Sequence, residues 1–152
     1  MTVSSPLMNM TMATEVATRL VAATLIGSGV GLDRELRHKP AGLKTHALVA
    51  LGAALIIVVS ASLTDLLHPD SAVMSRVIQG IIAGVGFLGG GAILKSSEEM
   101  VTGVTTAASI WLVASLGIAC GAGEFATALI ALAIALVVLV LGNAFESRIL
   151  GR

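Results

Sequence analysis

Tyrosine is absent from this chain, cysteine and tryptophan occur once each, and proline three times. The lone Cys120 excludes an internal disulfide and supplies no metal-ligand set. With only Trp111, Phe87, Phe125 and Phe145 as aromatics, the usual interfacial belt of Trp and Tyr is nearly empty. Charge is scarce as well: 12% of residues are Asp, Glu, Lys or Arg, where a soluble domain carries about a quarter. The formal net charge is zero, so no overall field draws nucleic acid or an acidic substrate. No base precedes Arg19, which excludes the basic n-region of a cleavable signal peptide. The opening residues read instead as a short uncharged tail. No stretch alternates apolar and polar residues as a β-barrel strand does.

What is present is apolar length. Hydrophobic residues make up 56% of the 152, and the mean hydropathy is +0.99. Five stretches, about 13–32, 45–63, 77–94, 101–120 and 125–145, approach the ~20 residues that a helix needs to cross a bilayer. In lipid the backbone must satisfy its own hydrogen bonds, so the spans are helices. The expectation is an all-α membrane protein, a bundle of five transmembrane helices within one domain spanning residues 1–152. The first span is short unless it takes in Glu15 and Arg19, whose order and spacing suit a helical ion pair. A four-helix reading, with the first segment lying on the interface, is the less favoured alternative.

Basic residues alternate between sides. With the N-terminus outside, the inner side holds Arg34, Arg37, Lys39, Lys44, Lys95, Arg148 and Arg152, and the outer side only Arg19 and Arg76. That bias predicts N-out, C-in.

Glycine is the next signal. Gly80, Gly84, Gly86, Gly89, Gly90 and Gly91 crowd the third segment, and Gly27 and Gly31 repeat the four-residue spacing on the first. Small residues four apart let helices approach closely, and close packing is the preferred reading. The alternative is a helix broken at 89–91, with carbonyls exposed to a polar cavity. On the fourth segment Thr105, Thr106 and Ser109 either bond to their own helix or to a neighbouring one, as hydroxyls in membranes commonly do, or form a polar lining that faces the glycines.

The charged stretch 33–46 joins the first two spans. Asp33 and Arg37 can pair one turn apart. Lys39-Pro40 should end the helix, and Gly42 should permit the turn. A basic anchor on anionic lipid accounts for Arg37, Lys39 and Lys44. It does not account for Asp33, Glu35 and His46, which a buried ion pair or proton-handling site would explain. The outer acids Glu15, Asp65, Asp70 and Glu124 are spread over three segments. His68 lies near two of them, but this reads as a solvated turn. Asn143, Glu146 and Arg148 mark the inner interface. No nucleophile–base pairing, phosphate loop or metal-ligand spacing stands out, so the chain reads as non-enzymatic and without a cofactor.

Three blocks resemble the MgtC/SapB family of bacterial inner-membrane proteins. They are residues 31–54, with Gly31-Leu32-Asp33-Arg34-Glu35 and Ala41-Gly42-Leu43-Lys44-Thr45-His46; residues 84–93, with Gly84-Val85-Gly86-Phe87-Leu88-Gly89-Gly90-Gly91; and residues 101–111, with Thr102-Gly103-Val104-Thr105-Thr106-Ala107-Ala108-Ser109. Asp33 stands where the family commonly has Glu, Lys44 where it has Arg, Thr102 where it has a base and Val104 where it has Leu. The best-known members continue into a soluble domain resembling an ACT fold. The resemblance here is to a membrane-only member, since the sequence stops at Arg152.

The resemblance implies adaptation to magnesium limitation, acid or life inside host cells. It also implies restraint of the F-type ATP synthase and a part in membrane energetics. The first reading is a non-enzymatic regulator that acts through helix contacts, with itself (a dimer being favoured) or with a larger complex such as the ATP synthase. Its charged inner loop (Asp33, Arg34, Glu35, Arg37, Lys44, His46) would dock to lipid or partner. The alternative is a small ion or proton conductor, Mg²⁺ among its candidates, with a path along 89–91, Thr105, Ser109 and Asp33.

Overall fold

The computed structural model describes residues 6–65, 71–95 and 101–149. His68, Asp70 and Arg152 lie outside them, and the side chains of Asp65, Lys95, Asn143, Glu146 and Arg148 are likewise outside the description. The elements are α1 (Pro6–Leu36), α2 (Leu43–Asp65), α3 (Ser71–Ala92), β1 (Leu94–Lys95), β2 (Val101–Thr102), α4 (Val104–Ala122) and α5 (Phe125–Ile149). Among the described residues, five helices are long and apolar enough to cross a membrane.

Several boundaries differ from the hydropathy spans. Helix α1 begins at Pro6, where proline is tolerated because the first helical N–H has no partner anyway. At 31 residues it is about 46 Å long, well beyond a hydrocarbon core of about 30 Å. The third span ends earlier and the fourth begins later, because β1 and β2 pair antiparallel between them, Leu94 opposite Thr102 and Lys95 opposite Val101. Gly103, at φ 88°, then turns the chain into α4, a left-handed conformation that suits glycine. Helix α3 runs unbroken to Ala92, so the break considered at 89–91 is absent: the backbone bonds of α3 hold through three glycines.

Helix α4 is the central element. It packs against each of the other four helices, and half of its spanning window is buried, against 11% for α5. Helix α3 packs on α4 and α2, and α5 on α1 and α4. One core cluster joins Ala23, Ile26 and Val30 of α1 to Ala50 and Ala54 of α2 and Val113, Leu116 and Cys120 of α4. That face of α1 packs into the bundle alongside α2 and α4, as a spanning helix would. A second cluster joins Ala53 and Ile57 to Ile81, Val85, Ile110 and Ala114.

Small residues dominate the interior, while Leu55, Ile56, Phe87, Ile130, Ile134 and Val138 face outward. Lipid is as apolar as leucine, so close approach rather than side-chain apolarity selects the inner faces. The tightest approach is one the sequence reading did not single out. Gly117 and Gly121 of α4 sit against Ala50 and Ala54 of α2, and a Cβ on Gly117 would stand 2.3 Å from the Ala50 carbonyl oxygen. Gly27 and Gly31 serve α1 in the same way, with a Cβ at either meeting α2 at 2.7 Å.

Two polar contacts lock the bundle ends. Arg19 pairs with Glu15 one turn before it, as the spacing predicts, and its Nη1 donates to the Gly121 carbonyl at 2.8 Å. That places a cation on the negative end of the α4 dipole. At the other end Arg34 reaches Thr106, which puts the 37–42 connection and the β1–β2 hairpin at the same end of the bundle.

Candidate functional site

The candidate site lies where α1 ends and α2 and α4 begin. Helix α1 closes with the His38 N–H on the Glu35 carbonyl at 3.0 Å and the Lys39 N–H on the Arg34 carbonyl at 3.0 Å. This pair of backward bonds leaves one residue left-handed at the helix end; here it is His38, at φ 53°. Lys39-Pro40 follows, and the helix ends as proline requires. Ala41 supplies the second left-handed position, at φ 56°.

Gly42 permits the turn, as expected, through its lack of a side chain and not through a positive φ. A Cβ there would stand 1.7 Å from Glu35 Oε2. The residue is small because the Glu35 carboxylate passes over it to accept from the Leu43 N–H at 3.0 Å. Glu35 thus places negative charge on the N-terminus of α2, where the helix dipole favours it.

Beneath this turn four polar side chains are buried. Arg34 is 2% exposed, His46 0%, Thr106 2% and Ser109 4%. Arg34 Nη2 donates to Thr106 Oγ1 at 2.6 Å. His46 Nδ1 stands 2.9 Å from the Gly42 carbonyl oxygen, and its Nε2 stands 3.0 Å from Ser109 Oγ. The Ser109 hydroxyl is in turn 2.8 Å from the Thr106 carbonyl oxygen. Three helices therefore meet through side chains rather than through apolar contact alone. Such groups are costly in lipid unless they are paired. Two atoms are not: Arg34 Nε and Asp33 Oδ2 are buried with no hydrogen-bond partner among the described residues.

The residues singled out from sequence divide accordingly. Asp33 pairs with Arg37 through Oδ1 at 2.8 Å, as the spacing predicts, and makes no hydrogen bond to His46. Arg34 leaves the basic surface and enters the interior. Lys44 is exposed, as an anchor would be. Thr106 and Ser109 face α1 and α2, so they do not form a lining toward the glycines of α3. Thr105 is exposed beside a groove of 410 Å³ between α4 and α5, lined also by Ala108, Ser109, Leu112 and Ile134, so Thr105 and Ser109 do share one groove. Among the described residues no three His, Cys, Asp or Glu side chains converge as metal ligands.

The glycines of α3 have an unusual setting. Among the described residues, a Cβ on Gly80, Gly84, Gly86, Gly90 or Gly91 would meet nothing within 4 Å. Gly89 alone of the six approaches α4, at 3.6 Å from the Ala107 Cβ. Gly80 and Gly84 face a groove of 610 Å³ between α2 and α3, lined with Gly52, Ala53, Ile56, Val77 and Leu88. Within the chain, tight packing falls to Gly27, Gly31, Gly117 and Gly121, and the α3 stripe is left open. The spacing of Gly117 and Gly121 was the available signal for this, one turn apart in an apolar span.

Residues 20–148 match the model of the MgtC family. The chain is 42% identical over 120 residues to Protein SrpB of Synechococcus elongatus, covering 74% of this chain and 66% of that protein. It is 43% identical over 112 residues to Protein MgtC of Salmonella typhimurium, covering 74% of this chain and 46% of that one. It is also 38% identical over 117 residues to the Putative magnesium transporter YhiD of Escherichia coli, covering 75% and 54%. The chain thus spans about half to two thirds of the length of these relatives. No solved structure matches it.

Proposed function

We propose, from the premise that this chain belongs to the MgtC family, that it is a non-enzymatic regulator in the bacterial inner membrane. It acts through helix contact rather than turnover. Its role is adaptation to magnesium limitation, acid or host stress through membrane energetics, with the F-type ATP synthase as a candidate partner and a homodimer as the favoured assembly. Its charged turn, carrying Arg37, Lys39 and Lys44, faces the cytosol and anionic lipid.

The observation that carries this reading is the open glycine stripe of α3. Glycine lowers helix stability by about 1 kcal/mol relative to alanine, yet five of these six glycines have no neighbour to accommodate among the described residues. A second helix laid on that stripe would supply the close contact that such residues allow. Cross-linking in native membranes tests it: a specific complex, abolished by Gly84→Leu with the monomer fold intact, is expected. A chain that stays monomeric and unpartnered in its own membrane would count against the reading.

A second reading is a small ion or proton conductor, Mg²⁺ included. It is favoured by the relative named a putative magnesium transporter and by the buried polar cluster of Arg34, His46, Thr106 and Ser109. Flux into liposomes with purified protein separates the two. Absence of ion-dependent flux, with Asp33→Ala behaving as the parent, removes the conductor.

A further inference from the structure

The contacts of His46 can be read by counting protons. Four groups stand in a line: the Gly42 carbonyl, the His46 ring, the Ser109 hydroxyl and the Thr106 carbonyl, with separations of 2.9, 3.0 and 2.8 Å. Both ends are carbonyls, which only accept. A neutral imidazole brings one proton and the hydroxyl another, so two protons face three contacts. The Gly42 carbonyl claims the Nδ1 proton. Ser109 must then donate to Nε2, leaving Thr106 to its ordinary partner within α4, or donate to Thr106 and present a lone pair to Nε2. A third proton, placed on Nε2, fills all three contacts without moving a heavy atom. Nε2–H donates to Ser109 Oγ, and Ser109 donates to the Thr106 carbonyl.

We propose that His46 is a buried protonation site, and that the Ser109 hydroxyl serves both of its states by turning from donor to acceptor. The proton arrives from water at the loop end, since His46 lies one turn inside α2. On uptake the imidazole gains a bond to hydrogen at Nε2 and one positive charge.

The charged groups facing the ring come from α1. Arg34 is buried in the same cluster and bonded to Thr106, Asp33 and Arg37 flank Arg34 as a pair, and Glu35 lies against Gly42. On α2 itself Lys44 is exposed, and α4 presents only the hydroxyls of Thr106 and Ser109. Protonation therefore sets a second cation beside Arg34. The unpartnered Asp33 Oδ2 and Arg34 Nε are the atoms placed to rearrange in response. This inference stands apart from the proposed partner or transport role.

Histidine-selective nitrogen-15 NMR of the full chain in lipid nanodiscs tests it. His38→Gln and His68→Gln identify the other two signals. Between about pH 8 and pH 4, the His46 Nε2 is expected to convert reversibly from acceptor to donor while Nδ1 stays protonated and the helices stay folded. Ser109→Ala removes a partner from both states, but the bond donated by the charged ring is the stronger one, so the protonated-to-neutral ratio at a given pH should fall about tenfold, one pH unit. Three results would overturn the proposal: a His46 with its neutral proton on Nε2, a ring that stays neutral until the bundle unfolds, or a Ser109→Ala chain that titrates like its parent.

Discussion

Gly117→Ala offers the sharpest test of how this bundle is held together. The added Cβ would lie 2.3 Å from the Ala50 carbonyl oxygen and 2.9 Å from the Ala50 Cα, where ordinary contact begins near 3.4 Å. Both obstacles are backbone, so no side chain can turn aside. Helix α2 must retreat by roughly 1 Å, loosening its contacts with α4 and, through the shared Ala50, with α1. Overpacking of this kind costs about 1–3 kcal/mol, and alanine's better helix propensity returns up to about 1 kcal/mol. A net loss of about 0–2 kcal/mol follows, and a difference of about 1–3 kcal/mol from an alanine placed at an unobstructed glycine. Reversible unfolding in mixed detergent, followed by circular dichroism, measures it. The control is Gly84→Ala, whose Cβ meets nothing and which should leave stability unchanged or slightly raised. If Gly117→Ala unfolds like the parent while Gly84→Ala is the weaker chain, the assignment of inner and outer glycines is wrong.

Other expectations concern the polar end. Thr106→Val removes the acceptor of Arg34 Nη2 while keeping the side-chain shape, and should destabilise by about 1–3 kcal/mol; combined with Arg34→Met, the two losses should be markedly less than additive in a double-mutant cycle. Gly42→Ala should displace the Glu35 carboxylate from the start of α2, at a loss of about 0.3–1 kcal/mol, and Glu35→Gln should reproduce most of it; a Gly42→Ala effect that persists undiminished in Glu35→Gln would rule out this cause. Lys39→Cys, in a Cys120→Ala background, should react with a membrane-impermeant maleimide only when the cytosolic face is open; labelling of intact cells from the periplasm would invert the proposed orientation.

Local periodicity was legible in the residues. The pairs Glu15–Arg19 and Asp33–Arg37 follow from a four-residue spacing, and both form. The stop at Lys39-Pro40 follows from proline sterics. The β1–β2 hairpin was not legible, because two residues on each side leave no alternation to detect. The break at 89–91, weighed as the alternative to close packing, does not occur. Glycine propensity measured against water overstates the tendency to break in a medium where an opened backbone bond finds no substitute partner.

By itself the sequence determined the class of molecule. Apolar runs of this length and number, with so few charges, place helices in lipid, because only helices satisfy their own backbone there. Which face of each helix turns inward emerges only once the helices are packed. In a bilayer both faces can be apolar, so hydropathy carries no azimuth, and the small residues of α1, α3 and α4 look alike until neighbours are placed. The same holds for the site. Arg34 lies 72 residues from Thr106 and His46 lies 63 from Ser109, and no spacing rule spans such separations. Their meeting depends on how closely α1, α2 and α4 can approach, which Gly27, Gly31, Gly117 and Gly121 permit.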